Sequence, residues 1–135
     1  MATLKLEIVT PEAKIYSEDV DRVTLPSVEG EMGIFPMHIA LMTQVVHGQV
    51  VARKGGQDYY LAIGEGFAEI TGDRVAILTD MAIKSDDIDE AKSEEARKRA
   101  EARLAEKLSD EETASVQAAL AHALTQLNLK RRQRH

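Results

Sequence analysis

The chain has 135 residues, 44% of them apolar and 30% charged, enough for one or two small domains with a compact core. It contains no cysteine, which excludes a disulfide framework, a thiolate nucleophile and a cysteine-based zinc site, and suits a reducing compartment. The net charge of −6 divides into 7 basic and 12 acidic side chains over residues 1–85 and 10 and 11 over residues 86–135, so neither half reads as a nucleic-acid binder.

No basic-then-apolar leader opens the sequence, and no apolar run approaches the roughly 20 residues of a membrane span, so a soluble protein is expected. All glycines, prolines and aromatic residues lie before position 73, whereas the last 50 residues are rich in Ala, Glu, Lys, Arg and Leu. Two architectures are therefore joined end to end, with a boundary expected between residues 85 and 86.

In the first part, Leu4, Leu6 and Ile8 alternate with Lys5 and Glu7, the period of a half-buried strand. Further strands are expected at Val20–Leu25, Val45–Ala52, Tyr59–Ile63, Phe67–Ile70 and Val75–Leu78. Lys54-Gly55-Gly56-Gln57 and Thr71-Gly72-Asp73-Arg74 read as hairpin tips, where glycine accepts a positive φ. Many short strands at this spacing predict an antiparallel β-sandwich or flattened barrel.

Beyond Ile83 the period changes. Asp86, Asp87, Asp89 and Glu90 crowd a predicted helix start near Ile88, with Asp87 as the cap. Ala91, Ala96, Ala100, Leu104 and Leu108 form a thin stripe on a charged helix, supported by pairs such as Glu95 and Arg99. Ser109-Asp110-Glu111-Glu112 has the form of a capping box before a second helix, whose apolar face is Val116, Ala119, Leu120, Ala123, Leu124 and Leu127. The whole is α+β: a β-sandwich or flattened barrel (residues 1–85) followed by a two-helix antiparallel hairpin (residues 86–135). Alanine buries less apolar area than leucine, so the closed hairpin is expected to be marginally stable; a docked hairpin and a separable one both fit the pattern. The run Lys130-Arg131-Arg132-Gln133-Arg134-His135 offsets the dipole of the preceding helix.

No catalytic constellation emerges. His38, His47, His122 and His135 are dispersed, with neither H-E-x-x-H nor a close pair, so no metal site is expected. Gly64-Glu65-Gly66 lacks the third glycine and following helix of a phosphate loop and reads as a bulged strand junction. Ser85 and Ser109 lie beside acids without a neighbouring histidine and are explained by helix entry. The segment Leu25–His38 carries two glycines, two prolines, large apolar groups and titratable ones. It reads as a rigid loop presenting Met32, Ile34 and Phe35 outward, or as a plain loop tucked over the sandwich end with His38 satisfied locally. A stand-alone β-sandwich interaction module with dimerising helices, and a small enzyme whose site forms only in three dimensions, fit the same features.

The succession Val9-Thr10-Pro11-Glu12, Leu25-Pro26, Gly30-Glu31-Met32-Gly33-Ile34-Phe35-Pro36-Met37-His38, Gly64-Glu65-Gly66-Phe67 and Ile88-Asp89-Glu90-Ala91 resembles the epsilon subunit of bacterial rotary F-type ATP synthases. The likeness covers essentially the whole chain, and the G-E-x-G-I-x-P-x-H segment is its most specific part. It implies a non-catalytic central-stalk subunit whose sandwich binds the gamma subunit and rests on the c-subunit ring. Such a subunit is peripheral to the cytoplasmic face of the bacterial inner membrane and turns with a proton- or sodium-driven rotor. By the same likeness Glu31 approaches the c ring and His38 lies near gamma, with Met32, Ile34 and Phe35 beside them. The resemblance also implies mobile helices, either folded on the sandwich or extended toward the catalytic beta (and alpha) subunits to hinder hydrolysis, with Arg97, Arg99, Arg103, Lys107 and Lys130–Arg134 supplying positive charge.

Some members of that family bind ATP on the folded hairpin through an I-D-x-x-R-A motif and further arginines. Here Ile88, Asp89 and Arg99 match, but Lys92 and Ser93 replace Arg-Ala, and His122 and Gln126 fall where second-helix arginines are expected. Lysine offers a point charge in place of a bidentate fork, so weak or absent ATP binding and no resident cofactor are expected. Ile39-Ala40-Leu41 also lacks the proline that commonly follows the family's H-A.

Overall fold

The structure is a computed structural model and describes residues 2–132. Its strands are β1 (Leu4–Val9), β2 (Lys14–Val20), β3 (Arg22–Ser27), β4 (Gly30–Ile34), β5 (Leu41–Val45), β6 (Gly48–Lys54), β7 (Gln57–Ile63), β8 (Gly66–Ile70), β9 (Arg74–Thr79) and β10 (Ala82–Lys84). They run in the order β10-β7-β6-β3-β5-β8-β9-β1-β2, with β4 on β3. Lys54 Nζ on β6 lies 3.0 Å from Glu18 Oε2 on β2, so the last strand of the order turns back toward the strands at the other end and the barrel is nearly closed.

Inward residues of both halves form one core, including Leu4, Leu6, Ile8, Leu25, Ile34, Leu61, Ile63, Ile70 and Ile77. Pairing is antiparallel except between β1 and β9, which run parallel with Leu6 beside Val75 and Ile8 beside Ile77. That parallel pair corrects the all-antiparallel expectation. The N-terminal strand enters between β9 and β2 from a distant part of the chain, a placement that local periodicity does not encode.

Two expected strands are each divided. Val20–Leu25 breaks at Asp21, whose N–H donates to the Arg53 carbonyl (2.7 Å), and Val45–Ala52 breaks at Val46-His47, where Val46 N–H donates to Pro26 (3.0 Å). At the β6–β7 tip Gly55 and Gly56 both take positive φ (59° and 81°), as a tight turn between twisted strands requires.

The segment Leu25–His38 is mostly a hairpin and not a loop. β3 and β4 pair from Val23 with Ile34 to Ser27 with Gly30. The Ser27 hydroxyl closes the turn, donating to Gly30 O at 2.6 Å and accepting from Glu29 N at 3.2 Å, while Gly30 takes a φ of 114°. Pro26 is tolerated because β3 has already parted from β6 beyond Thr24, so no ladder hydrogen bond on that side needs its missing donor.

A single 3-10 turn, Ser85–Asp87, leads to α1 (Glu90–Leu104) and α2 (Asp110–Arg132). Asp89, and not Asp87, caps α1, with its carboxylate accepting from Lys92 N at 3.1 Å. Asp87 is used in the preceding turn, where Ile88 N–H donates to Ser85 O and the Ile88 side chain turns inward. Ser109 and Glu112 form a reciprocal start to α2: Ser109 Oγ accepts from Glu112 N at 3.2 Å and donates to Glu112 Oε1 at 3.1 Å. Because α1 ends at Leu104, Lys107 and Leu108 lie in the connection and not on a helix.

The helices pack through Ser93 and Ala100 of α1 and Ala123 and Leu127 of α2, with Ser93 Oγ donating to Gln126 Oε1 at 3.0 Å. Ala91, Ala119 and Leu124, expected inward, are exposed. α2 touches two surfaces, so its buried stripe turns along its length. Near its C-terminal end Leu129 joins Ile88, Ala62 of β7, Tyr60 and Ile83 in a second small core between hairpin and sandwich.

Candidate partner-binding surface and hairpin seam

The five residues expected to form one presented loop are separated by the hairpin. Glu31 is exposed on β4 near its turn. Ile34 is fully buried in the sandwich core, and Met32 is half-buried against it, so neither is presented outward. The correction follows from strand geometry: side chains at 32 and 34 share the inner face, while 31 and 35 point away from it. Phe35 is exposed, about 13 Å along the strand from Glu31 at 3.3 Å per residue. His38 is half-buried, with Nδ1 2.6 Å from the Ile39 carbonyl oxygen.

Beyond β4 the chain exposes Met37 and Ile39, each 84% accessible, on a segment pinned where Met37 N–H donates to Gly72 O. Met37 holds a φ of 68°, unusual for a side chain of its size. These residues adjoin an exposed apolar sheet face that strand patterning alone did not single out. Phe67 of β8 stands directly opposite Leu78 of β9, Leu78 stands beside Val9 of β1, and Met42 is exposed on neighbouring β5. The outward positions of a solvated antiparallel sheet are normally polar, so an apolar row there marks a docking face.

The basic residues assigned to the helices are engaged within the hairpin. Arg97 bonds Glu94 and, at 2.9 Å, Glu101; Arg99 lies 3.4 Å from Glu95; Arg103 lies 3.7 Å from Glu106 and 3.5 Å from Glu112. Hydrogen bonding from Arg97 holds the Glu94 carboxyl below its ordinary value against the opposing effect of burial, helped by Arg131. Lys107 is exposed in the connection. Lys130 Nζ donates to Ser85 O at 3.2 Å, and Arg131 lies 3.2 Å from Glu90 and 2.8 Å from Glu94, so the end of α2 is tied to the linking turn and the start of α1. Arg132 is exposed; Gln133, Arg134 and His135 lie outside the described residues.

The positions proposed for nucleotide have structural work. Ile88 fills the seam core, Asp89 caps α1, and Lys92 is exposed. Gln126 is engaged by Ser93 and Met81, and His122 Nε2 lies 3.1 Å from Asp80 Oδ2. His47 stands beside His122, which the sequence did not disclose: the two are far apart in the chain, and only the docking of α2 joins them.

Among the described residues no helix is long and apolar enough to cross a membrane. A nearly closed β-sandwich with an exposed apolar face, carrying a helical hairpin docked through a small seam, defines a two-part α+β class of protein without a catalytic constellation among the described residues. Comparison with known proteins makes the class specific. Residues 3–85 match the family model described as ATP synthase, Delta/Epsilon chain, beta-sandwich domain, and residues 86–130 match ATP synthase, Delta/Epsilon chain, long alpha-helix domain. The chain belongs to the epsilon-chain family of ATP synthase subunits.

It is 42% identical over 135 residues to the ATP synthase epsilon chain of Dehalococcoides mccartyi strain CBDB1, covering 99% of this chain and 96% of that one. The epsilon chain of Laribacter hongkongensis strain HLHK9 is 37% identical over 129 residues, covering 94% and 92%. A chain in the cryo-EM structure of the Euglena gracilis mitochondrial ATP synthase, OSCP/F1/c-ring in rotational state 1, superposes with a TM-score of 0.74 at 25% identity, over 93% of this chain and 79% of that one.

Proposed function

We propose that this chain is a non-catalytic rotor subunit of the central stalk, coupling ion flow through a c-subunit ring to ATP synthesis and restraining ATP hydrolysis through its helices. It works at the cytoplasmic face of the bacterial inner membrane, peripheral to the bilayer. The observation that carries this is the exposed apolar face of Met42, Phe67 and Leu78 with its neighbouring Phe35–Ile39 segment, on a sandwich whose core is already complete. That face suits the gamma subunit, while Glu31, exposed beside the β3–β4 turn, suits the polar loops of the c ring. His38 sits at the edge of the gamma-facing segment.

The hairpin supplies regulation. The apolar part of its seam with the sandwich is three buried residues and two half-buried ones, joined by the contacts of His122 with Asp80 and Gln126 with Met81, small enough to separate at modest cost. Undocking exposes the α2 face and the last-turn basic residues to the beta (and alpha) subunits. Arg97, Arg99 and Arg103 exchange their glutamate partners within the hairpin for partner carboxylates, a near-balanced trade at the surface.

ATP binding by the folded hairpin is weak or absent. Ile88 and Asp89 are committed to the seam and the cap, and the second-helix positions carry His122 and Gln126, which lack the guanidinium fork. Isothermal titration of the full chain is expected to give no micromolar affinity for ATP; finding one overturns this point.

The assignment is tested by ATP hydrolysis of an F1 preparation lacking this subunit, titrated with the full chain and with a truncation ending at Asp86. Both are expected to bind, and only the full chain to inhibit. Binding by neither overturns the rotor assignment, and inhibition by the truncation removes the regulatory role from the helices.

A further inference from the structure

Three side chains from three distant parts of the chain converge where the hairpin meets the sandwich. His47 stands in the β5–β6 connection, Asp80 in the β9–β10 connection, and His122 on α2. One ligand atom of each lies within 4.8 Å of the others. His122 Nε2 is 3.1 Å from Asp80 Oδ2, and the two imidazole centroids are 5.4 Å apart at a 48° tilt. His47 Nδ1 is 3.7 Å from Glu65 Oε1, whereas His47 Nε2 is shut off from solvent with no hydrogen-bond partner among the described residues. A buried ring nitrogen in that condition is costly unless something is supplied to it.

The backbone makes room for this cluster. A Cβ at Gly64 would overlap the Asp80 carboxylate and meet His122 Nε2 at 3.1 Å, so only glycine lets the carboxylate and the imidazole close over this point. Two imidazole nitrogens and one carboxylate oxygen are the donor set of a zinc-class ion, which takes nitrogen and oxygen at about 2.0–2.2 Å. Magnesium and calcium demand more oxygens than the cluster offers.

We propose that His47, Asp80 and His122 form a zinc-class divalent cation site that pins α2 to the sandwich. Water completes the coordination, and Glu65, on the Nδ1 side of the His47 ring, orients that imidazole from outside the shell. Donors held around one such ion sit roughly 3.4 Å apart, so His122 and Asp80, at 3.1 Å, are already near that spacing and the widest pair closes by at most about 1.4 Å. Because the ligands come from both domains, the ion binds the docked hairpin more tightly than an undocked one and shifts the balance toward docking. Binding stands independently of the rotor assignment; the consequence, less inhibition of hydrolysis when zinc is bound, rests on it.

The test uses the tag-free full chain, stripped with chelator and titrated with zinc chloride against a chromophoric zinc indicator. Limited proteolysis in the α1–α2 connection is followed in parallel, with magnesium chloride as control. One zinc per chain and slower cleavage with zinc but not magnesium are expected. His47→Gln and His122→Gln should each weaken zinc binding by about tenfold or more while leaving zinc-free thermal unfolding near that of the parent chain. No zinc uptake by the parent chain, or equal affinity in the parent and His122→Gln, overturns the site. Uptake without added protection of the hairpin overturns the pinning.

Discussion

Gly66 lies so close to the next strand that a Cβ there would overlap the Leu78 carbonyl, and backbone cannot swing aside as a side chain can. Gly66→Ala is therefore expected to cost about 1–3 kcal/mol by forcing β8 from β9, seen as a lower denaturation midpoint with an unchanged m-value. The sequence marked this glycine as a strand junction, but the carbonyl it accommodates is visible only once β9 is in place. Glu94 shows the same dependence through charge. Hydrogen bonds from Arg97 and then Arg131 lower its folded-state pKa, so its contribution to the closed hairpin is complete above the ordinary carboxyl value of 4.5 and is lost as pH falls through the lowered one. Proteolytic susceptibility of the helices should rise below about pH 4.5, and Glu94→Gln should flatten that rise.

Element boundaries were legible wherever the signal was local. The Ser109–Glu112 exchange and the Gly55-Gly56 tip depend on residues within one turn of each other, and the structure places both where pattern indicates. The β3–β4 hairpin was missed because Pro26, Gly30 and Gly33 look like loop formers, whereas Pro26 sits where β3 has left β6 and Gly30 supplies the turn. α2 was read with one apolar face, yet Leu129 serves a second surface, the seam formed with Ala62 and Ile88. Leu129→Ala should weaken docking by about 2–5 kcal/mol, read as faster hydrogen exchange in α1 and α2 with the core strands unchanged. Equal acceleration in β1 and β8 would mean that the seam is part of a single folding unit.

For the whole molecule, the main core is drawn from residues between Leu4 and Ile77, and the helices contribute nothing to it, packing on each other and at the seam. A truncation ending at Asp86 is thus expected to fold cooperatively, with some loss of stability from exposing Ala62, Tyr60 and Ile83; a chain that precipitates or shows no cooperative transition contradicts this. Composition and period were sufficient for a strand-rich first part, a helical second part and no cysteine chemistry, because glycine placement, alternation and capping act over a few neighbouring residues. The burial of Ile34, the exposed row of Met42, Phe67 and Leu78, the parallel entry of β1 and the meeting of His47, Asp80 and His122 were decided by tertiary structure alone. Each depends on which strands become neighbours and where α2 comes to rest, and those contacts join residues too far apart in the chain for any local pattern to carry them.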